Sequence, residues 1–151
     1  MSIAVKHLET ESYEQDFYAW TQAQAALLRV GRLAELDLEH LAEEIESMGA
    51  RDRRELINRL TLLLAHLLKW QYQPERRSTS WRLTVNEQRR QLRLLLDDSP
   101  SLRARLDEFL SRAYREGVQV ALEETGFLQS PFPATCPYTA ERVLNSDYWP
   151  D

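Results

Sequence analysis

The sequence predicts an all-α protein, and three observations support that prediction. The chain has 151 residues but only 4 glycines and 6 prolines, so it is poor in the residues that form turns. Apolar residues recur at helical spacing along most of the chain. The hydrophobic share of 43% and the charged share of 28% are those of a folded globular chain. We expect a flexible N-terminus over residues 1–11 and a single helical domain over residues 12–151.

The first half of the chain predicts three helices. Helix one runs from Ser12 to Val30, because Ser12 and Gln15 form a capping-box pattern and Gly31 follows as a stop. Helix two runs from Asp37 to Met48, ends at Gly49, and carries an apolar stripe on Leu38, Leu41, Ala42, Ile45 and Met48, with His40 on the opposite, water-facing side. Helix three runs from Arg51 to Tyr72, and its second half, Leu62 to Leu68, is apolar almost all round, which predicts enclosure on several sides.

The second half predicts two more main helices and a short one. Helix four begins near Ser80 and reaches Leu96. Helix five runs from the cap Ser99 to Thr125 and ends at Gly126. The remaining tail holds four of the six prolines and several large apolar residues. We interpret it as a Pro-rich strap across a bundle of five main helices, with a short helix over residues 139–145.

Composition excludes several classes of protein. The single cysteine, Cys136, rules out an internal disulfide and a multi-cysteine zinc site, and it is typical of a cytoplasmic protein. The first ten residues lack the apolar core of a signal peptide. The densest apolar run, residues 62–68, is far shorter than the ~20 residues of a transmembrane helix. We therefore expect a soluble, cytoplasmic protein with no membrane partner.

Charge is distributed unevenly along a chain of net charge −5. Residues 75–93 hold six arginines against two glutamates, a local charge of +4. Arginine forks next to an aromatic ring are typical of phosphate- and base-binding sites, and the first N–H groups of helix four add to such a site. The binding candidates are Trp70, Arg76, Arg77, Trp81, Arg82 and Arg89. The alternative is that these arginines pair with acidic residues of the same chain and that Trp81 belongs to the core.

His66 stands alone in the leucine-rich stretch and predicts a buried imidazole that needs a hydrogen-bond partner. A tight turn at Gly49 would bring the acidic face of helix two, with Glu44 or Glu46, next to it. A His66–Glu44 pair then has three interpretations: an acid/base pair, half of a metal site, or a structural bond that fixes how two helices meet.

Other catalytic and metal-binding patterns are missing from the sequence. There is no Glu-x-x-His as in di-iron bundles, no G-x-S-x-G and no glycine-rich phosphate loop. Three histidines at positions 7, 40 and 66 make a poor ligand set. We expect no metal site and no cofactor.

Four stretches resemble a bacterial family catalogued as domain of unknown function twenty-nine: "DFYAWTQAQAALLR", "LEHLAEEIESMG", "LLAHLLKWQYQPERRSTSWRLTVNEQRRQL" and "FPATCPY". The resemblance spans about Tyr13 to Pro150. It implies an all-helical bacterial domain with no assigned activity and supplies no catalytic residues. The recognisable positions are Glu43, Glu44, Glu46, His66, Trp70, Gln73, Pro74, Arg77, Trp81 and Arg89.

Two hypotheses about function follow. The first is a non-enzymatic interaction module that binds an acidic partner, protein or nucleic acid, in a groove near Trp70, Arg77 and Trp81. The second is an enzyme with His66 as its acid/base and Glu44 as the carboxylate that orients it. The sequence favours the first and leaves partner, substrate and oligomeric state open.

Overall fold

The computed structural model describes residues 12–151, and this part of the chain is helical, with no β-strand. The predicted N-terminus, residues 1–11, lies outside the described residues. The helices are α1 (Phe17–Val30), α2 (Leu38–Tyr72), α3 (Thr79–Asp98), α4 (Pro100–Ala104), α5 (Leu106–Thr125) and α6 (Ala140–Leu144). The described chain divides into two compact units, one that ends at Ala50 and one over Arg51–Asp151. The single domain over residues 12–151 stays a prediction.

The predicted division into five main helices is wrong in two places. Helices two and three are one helix, α2, which continues through Gly49. A glycine inside a helix costs only about 1 kcal/mol, and good helix formers on both sides outweigh that cost. The predicted helix five is interrupted at Arg105, whose N–H donates to the Leu102 carbonyl at 3.1 Å. This tight turn separates α4 from α5.

Helix ends elsewhere follow the predicted glycines. Gly31 and Gly126 end α1 and α5 with φ of 75° and 73°, a left-handed conformation that other residues adopt at a cost. The predicted start at Ser12 is interrupted, because residues 12–15 are helical but Asp16 is not. Asp16 instead caps α1 and accepts the N–H of Ala19 at 3.0 Å.

The core of the second unit is built around the leucine-rich half of α2. Six leucines there have no exposed surface: Leu56, Leu60, Leu63, Leu64, Leu67 and Leu68. Each such side chain contributes about 1.5–3 kcal/mol by leaving water. α5 packs closely against this helix at Gly117, where an added Cβ would lie 3.1 Å from the Thr61 carbonyl oxygen. The predicted enclosure of this half of α2 is confirmed.

The C-terminal segment also contributes to this core. Phe132, Tyr138 and Val143 are buried in the cluster. The hydroxyl of Tyr114 donates to the Pro133 carbonyl at 2.6 Å, and the hydroxyl of Tyr138 donates to Gln71 at 2.7 Å. These bonds place the segment beside α2 and α5.

The first unit departs from the predicted packing of helix two. Leu38, Ile45 and Met48 are 67%, 66% and 60% exposed, so the predicted apolar stripe is not a core stripe. The opposite prediction for His40 is also wrong, because its side chain is only 15% exposed and pairs with Asp37. Periodicity marks an apolar face, but only tertiary packing decides whether that face is covered.

Candidate functional site

Trp70 lies near the C-terminal end of α2 and is 8% exposed. Its ring packs against the ring of Trp149, with centroids 4.5 Å apart. Pro74 begins a short 3₁₀ turn after the helix, and Ser78 then caps α3 by accepting the N–H of Trp81 at 3.2 Å. The segment that follows α2 therefore turns back and passes close to the Trp70 ring.

Two arginines converge on the Trp70 ring. The guanidinium carbon of Arg77 lies 5.0 Å from the ring centroid and that of Arg82 lies 5.8 Å from it. Arg77 is also fixed by a hydrogen bond from its Nε to the Trp70 carbonyl oxygen at 2.8 Å. Cations within about 6 Å of an indole face are attracted to it. Both arginines are exposed, so their remaining N–H groups are open to a partner.

Internal charge pairing accounts for little of the arginine-rich segment. Among the six arginines of residues 75–93, Arg90 alone forms an ion pair within residues 12–151, with Glu87 at 2.9 Å. Arg76, Arg77 and Arg82 have no carboxylate partner in that part of the chain. The sequence left internal pairing open, and the geometry favours it only for Arg90. We call Trp70, Arg76, Arg77, Trp81 and Arg82 the Trp70 surface.

Trp81 already has a cation of its own chain above its ring. The Lys69 ammonium lies 4.9 Å from the ring centroid and pairs with Glu124. Lys69 is 6% exposed and Trp81 is half-buried. Trp81 is therefore a member of the Trp70 surface whose ring face is occupied on the side of Lys69.

Arg89 is not part of the surface, although the sequence proposed it as a binding residue. It is 0% exposed, and its Nε donates to the Val143 carbonyl oxygen at 2.8 Å while Nη2 donates to that of Arg142 at 3.4 Å. Burial lowers the pKa of the guanidinium to about 10. Its second terminal nitrogen has no partner among the described residues. Arg89 therefore holds α6 in place by binding its last carbonyls.

His66 is buried, as the sequence predicts, but its partner is not a carboxylate. Its Nδ1–H donates to the Leu62 carbonyl oxygen, one turn earlier on α2, at 2.9 Å. Burial, opposed by this bond and reinforced by the charge of Lys69, lowers the pKa of the imidazole. The ring is therefore neutral at pH 7.

Glu44, the other half of the proposed catalytic pair, is bound within the first unit. Its Oε1 accepts the hydroxyl of Tyr13 at 2.7 Å. This bond raises the pKa of the Tyr13 hydroxyl to about 12. The turn at Gly49 that was to bring Glu44 to His66 is absent, so the reasoning that joined the two residues is wrong.

The first unit holds a polar cluster that the sequence reasoning missed. Oδ2 of Asp37 accepts hydrogen bonds from the Trp20 indole at 3.0 Å and from the His40 imidazole at 2.6 Å. The Asp37 N–H donates to Gln24 at 2.8 Å, and the Tyr13 ring stacks on His40 at 3.9 Å. The bond to Asp37 raises the pKa of His40. The spacing of Asp37 and His40 indicates this pair. The apolar stripe that includes Leu38 and Ile45, however, predicts that the core lies on the opposite side of the helix.

The model of the family described as domain of unknown function DUF29 matches residues 12–149. The chain belongs to this family. No curated protein matches the chain, and no solved structure does. The DUF29 match confirms the resemblance of the four sequence stretches, and it assigns no activity.

Within residues 12–151, no helix of this DUF29 chain combines the length and the apolar character that a membrane crossing needs.

Proposed function

We propose that the chain is a non-enzymatic interaction module that binds an acidic partner through the Trp70 surface. The observation that carries this proposal is the placement of Arg77 and Arg82 on one indole ring without a carboxylate of residues 12–151 beside either. Each guanidinium carries a positive charge next to the same ring, and an anionic group that reaches both is attracted to both. A partner carboxylate or phosphate supplies that anion.

An acidic protein segment fits the surface better than a nucleic acid does. The chain as a whole carries a net charge of −5, which repels a long polyanion beyond the local patch. Trp70 is 8% exposed and packs on Trp149, so its face is not open for a base to stack on. Carboxylates of a peptide need only reach the guanidinium forks.

The Pro-rich C-terminal segment supports this surface in the proposal, as a strap. Trp149 lies against the Trp70 ring, and Tyr138 is bonded to Gln71 of α2. The ring contact and the hydrogen bond hold the Trp70 indole, on which the two arginines lie, in one position. In this way the C-terminal segment supports binding of the partner, although it does not contact the partner itself. The single cysteine and the family favour action in the bacterial cytoplasm.

Fluorescence anisotropy with a labelled decaglutamate peptide tests the proposal on the full chain. Arg82→Gln and Arg77→Gln should each weaken binding about fivefold, the size of a ~1 kcal/mol exposed charge contact. Arg90→Gln removes the same charge from the same segment but its arginine pairs with Glu87, so it should change the Kd less than twofold. Equal weakening by all three variants would contradict a defined surface.

A salt series and an oligonucleotide complete the test. Affinity for the peptide should fall as salt rises from 50 to about 300 mM, because exposed charge contacts are screened. Affinity that is independent of salt would contradict binding by arginines. Tighter binding of a single-stranded oligonucleotide than of the peptide would replace the acidic protein by a nucleic acid as the partner.

The enzyme hypothesis gains no supporting observation. His66 and Glu44 each bind a different group in the described part of the chain. We therefore propose only the interaction module as the function of the chain.

A further inference from the structure

A shallow groove of about 530 Å³, largely open to solvent, lies along the part of α2 that begins at Arg51. It is lined by Arg51, Arg54, Glu55, Asn58, Arg59, Leu62 and Gln88. Its volume is within the range of about 300–1,000 Å³ that small-molecule sites occupy. Six of the seven lining residues are polar or charged, so an apolar ligand does not suit it. None of these residues belongs to the Trp70 surface.

Charge is concentrated at one end of the groove. Arg59 is engaged, since its Nε donates to Glu55 at 2.9 Å and its Nη1 donates to Gln88 at 3.3 Å. Arg51 and Arg54 are exposed and form no ion pair with any of residues 12–151. They are three residues apart on the helix, so their side chains lie on neighbouring positions of one face. Two forks of this kind match one phosphate or carboxylate group.

The rest of the groove has a different chemistry. Asn58 follows Arg54 by one turn, and Leu62 follows Asn58 by one turn. From Arg51 to Leu62 the helix rises about 16 Å. A ligand that fills the groove is therefore elongated. Its anionic group lies at the Arg51 end, and its middle carries groups that form hydrogen bonds with amide side chains. Its other end, near Leu62, is apolar.

We propose that this groove binds an elongated small molecule with a phosphate or carboxylate group at one end, which Arg51 and Arg54 hold. Asn58 and Gln88 bind its polar middle. The site is independent of the acidic partner proposed for the Trp70 surface, since the two use different arginines.

Isothermal titration calorimetry of the full chain at 50 mM NaCl tests the proposal with tripolyphosphate and citrate as probes. Binding of either probe supports the site, and the stronger of the two identifies whether phosphate or carboxylate is preferred. Arg51→Gln and Arg54→Gln should each raise the Kd of that probe about tenfold. Absence of heat with both probes would overturn the proposal.

Arg53 provides a matched control. It lies between the two groove arginines in sequence but does not line the groove. Arg105, through its hydrogen bond, and to a smaller extent Arg53 lower the pKa of the Glu108 carboxyl. Arg53→Gln removes the same charge and should change the Kd less than twofold. A tenfold change in Arg53→Gln would show unspecific attraction and overturn the site.

The two proposals can fail separately. Arg54→Gln should leave decaglutamate binding unchanged, and Arg82→Gln should leave tripolyphosphate or citrate binding unchanged. Loss of probe binding in Arg82→Gln would place the anion at the Trp70 surface and overturn the groove. All three arginines of the groove test are exposed, so circular dichroism should show that each variant keeps its helix content.

Discussion

Nε of Arg77 donates a hydrogen bond to the carbonyl oxygen of Trp70, seven residues earlier in the chain, at 2.8 Å. The same guanidinium lies 5.0 Å from the Trp70 ring. The bond leaves the two terminal nitrogens free to meet a partner while it restricts the side chain. An arginine fixed in this way loses less entropy when it binds than a free one does.

Arg77→Lys tests the role of this bond, since lysine keeps the charge but has neither the planar fork nor Nε. We expect decaglutamate binding to weaken about threefold or more, because lysine interacts with a carboxylate as a point charge. Arg90→Lys provides the control at a paired arginine. Anisotropy curves that coincide for Arg77→Lys and the wild type would show that only charge matters at this position.

Arg89→Ala should destabilise the second unit by about 2–4 kcal/mol. The substitution leaves a cavity and removes the donors that the carbonyls of Arg142 and Val143 accept from. Urea unfolding followed by tryptophan fluorescence measures the loss. Arg90→Ala at an exposed neighbour should cost less than about 0.5 kcal/mol, and a similar cost for both would mean that Arg89 is not a structural residue.

Gly117→Ala and Gly49→Ala should change stability in opposite directions. Alanine favours a helix by about 1 kcal/mol over glycine, and nothing lies within 4 Å of a Cβ at Gly49, so Gly49→Ala should stabilise. At Gly117 the Cβ would meet the backbone of α2, with the Thr61 oxygen at 3.1 Å and the Ala65 nitrogen at 3.4 Å. Separating the two helices should cost about 1–2 kcal/mol more than the helix gains. Thermal unfolding of both variants decides, and stabilisation by Gly117→Ala would contradict the close packing.

His66 should make the second unit less stable as the pH falls below about 6.5, the ordinary pKa of histidine. Its folded pKa is lowered by burial, so the unfolded chain takes up the proton first and the folded state loses stability down to that lowered pKa. Urea unfolding at pH 7.5 and 5.5 should show a smaller pH effect in His66→Asn than in the wild type. Identical pH effects in both proteins would contradict a buried neutral imidazole.

His40 should have the opposite effect. Its folded pKa is raised by the bond to Asp37, so its contribution to stability is fully present below about 6.5 and is lost as the pH rises through the folded pKa. Imidazole proton signals measured by NMR against pH should give His40 a higher midpoint than His66. The reverse order would contradict the burial of His66 together with the Asp37–His40 bond.

The helical class and most helix ends can be predicted from the sequence, because they depend on residues that are close to each other along the chain. Gly31 and Gly126 end helices because few other residues adopt their conformation, and four of the five leucines of residues 62–68 are buried as their pattern predicts. The predicted helix end at Gly49 is wrong because the glycine disfavours a helix only weakly, while the residues on both sides of it favour one.

The positions that sequence reasoning missed depend on contacts between distant residues. Arg89 can be buried because carbonyl groups 53 and 54 residues later accept its hydrogen bonds. The residues around Arg89 in the sequence do not indicate these distant hydrogen bonds. The Trp70 surface stays a prediction, since composition marks arginines but does not show which of them pair with a carboxylate of the chain. Within residues 12–151, Arg90 pairs with a carboxylate, and Arg77 and Arg82 form no ion pair.

The most direct test of the account is an NMR titration that follows the arginine Nε–H signals while decaglutamate is added. The signals of Arg77 and Arg82 should shift progressively and to saturation, while that of the buried Arg89 stays in place. Shifts at Arg89 or Arg90 with unmoved signals of Arg77 and Arg82 would contradict the Trp70 surface as the binding site.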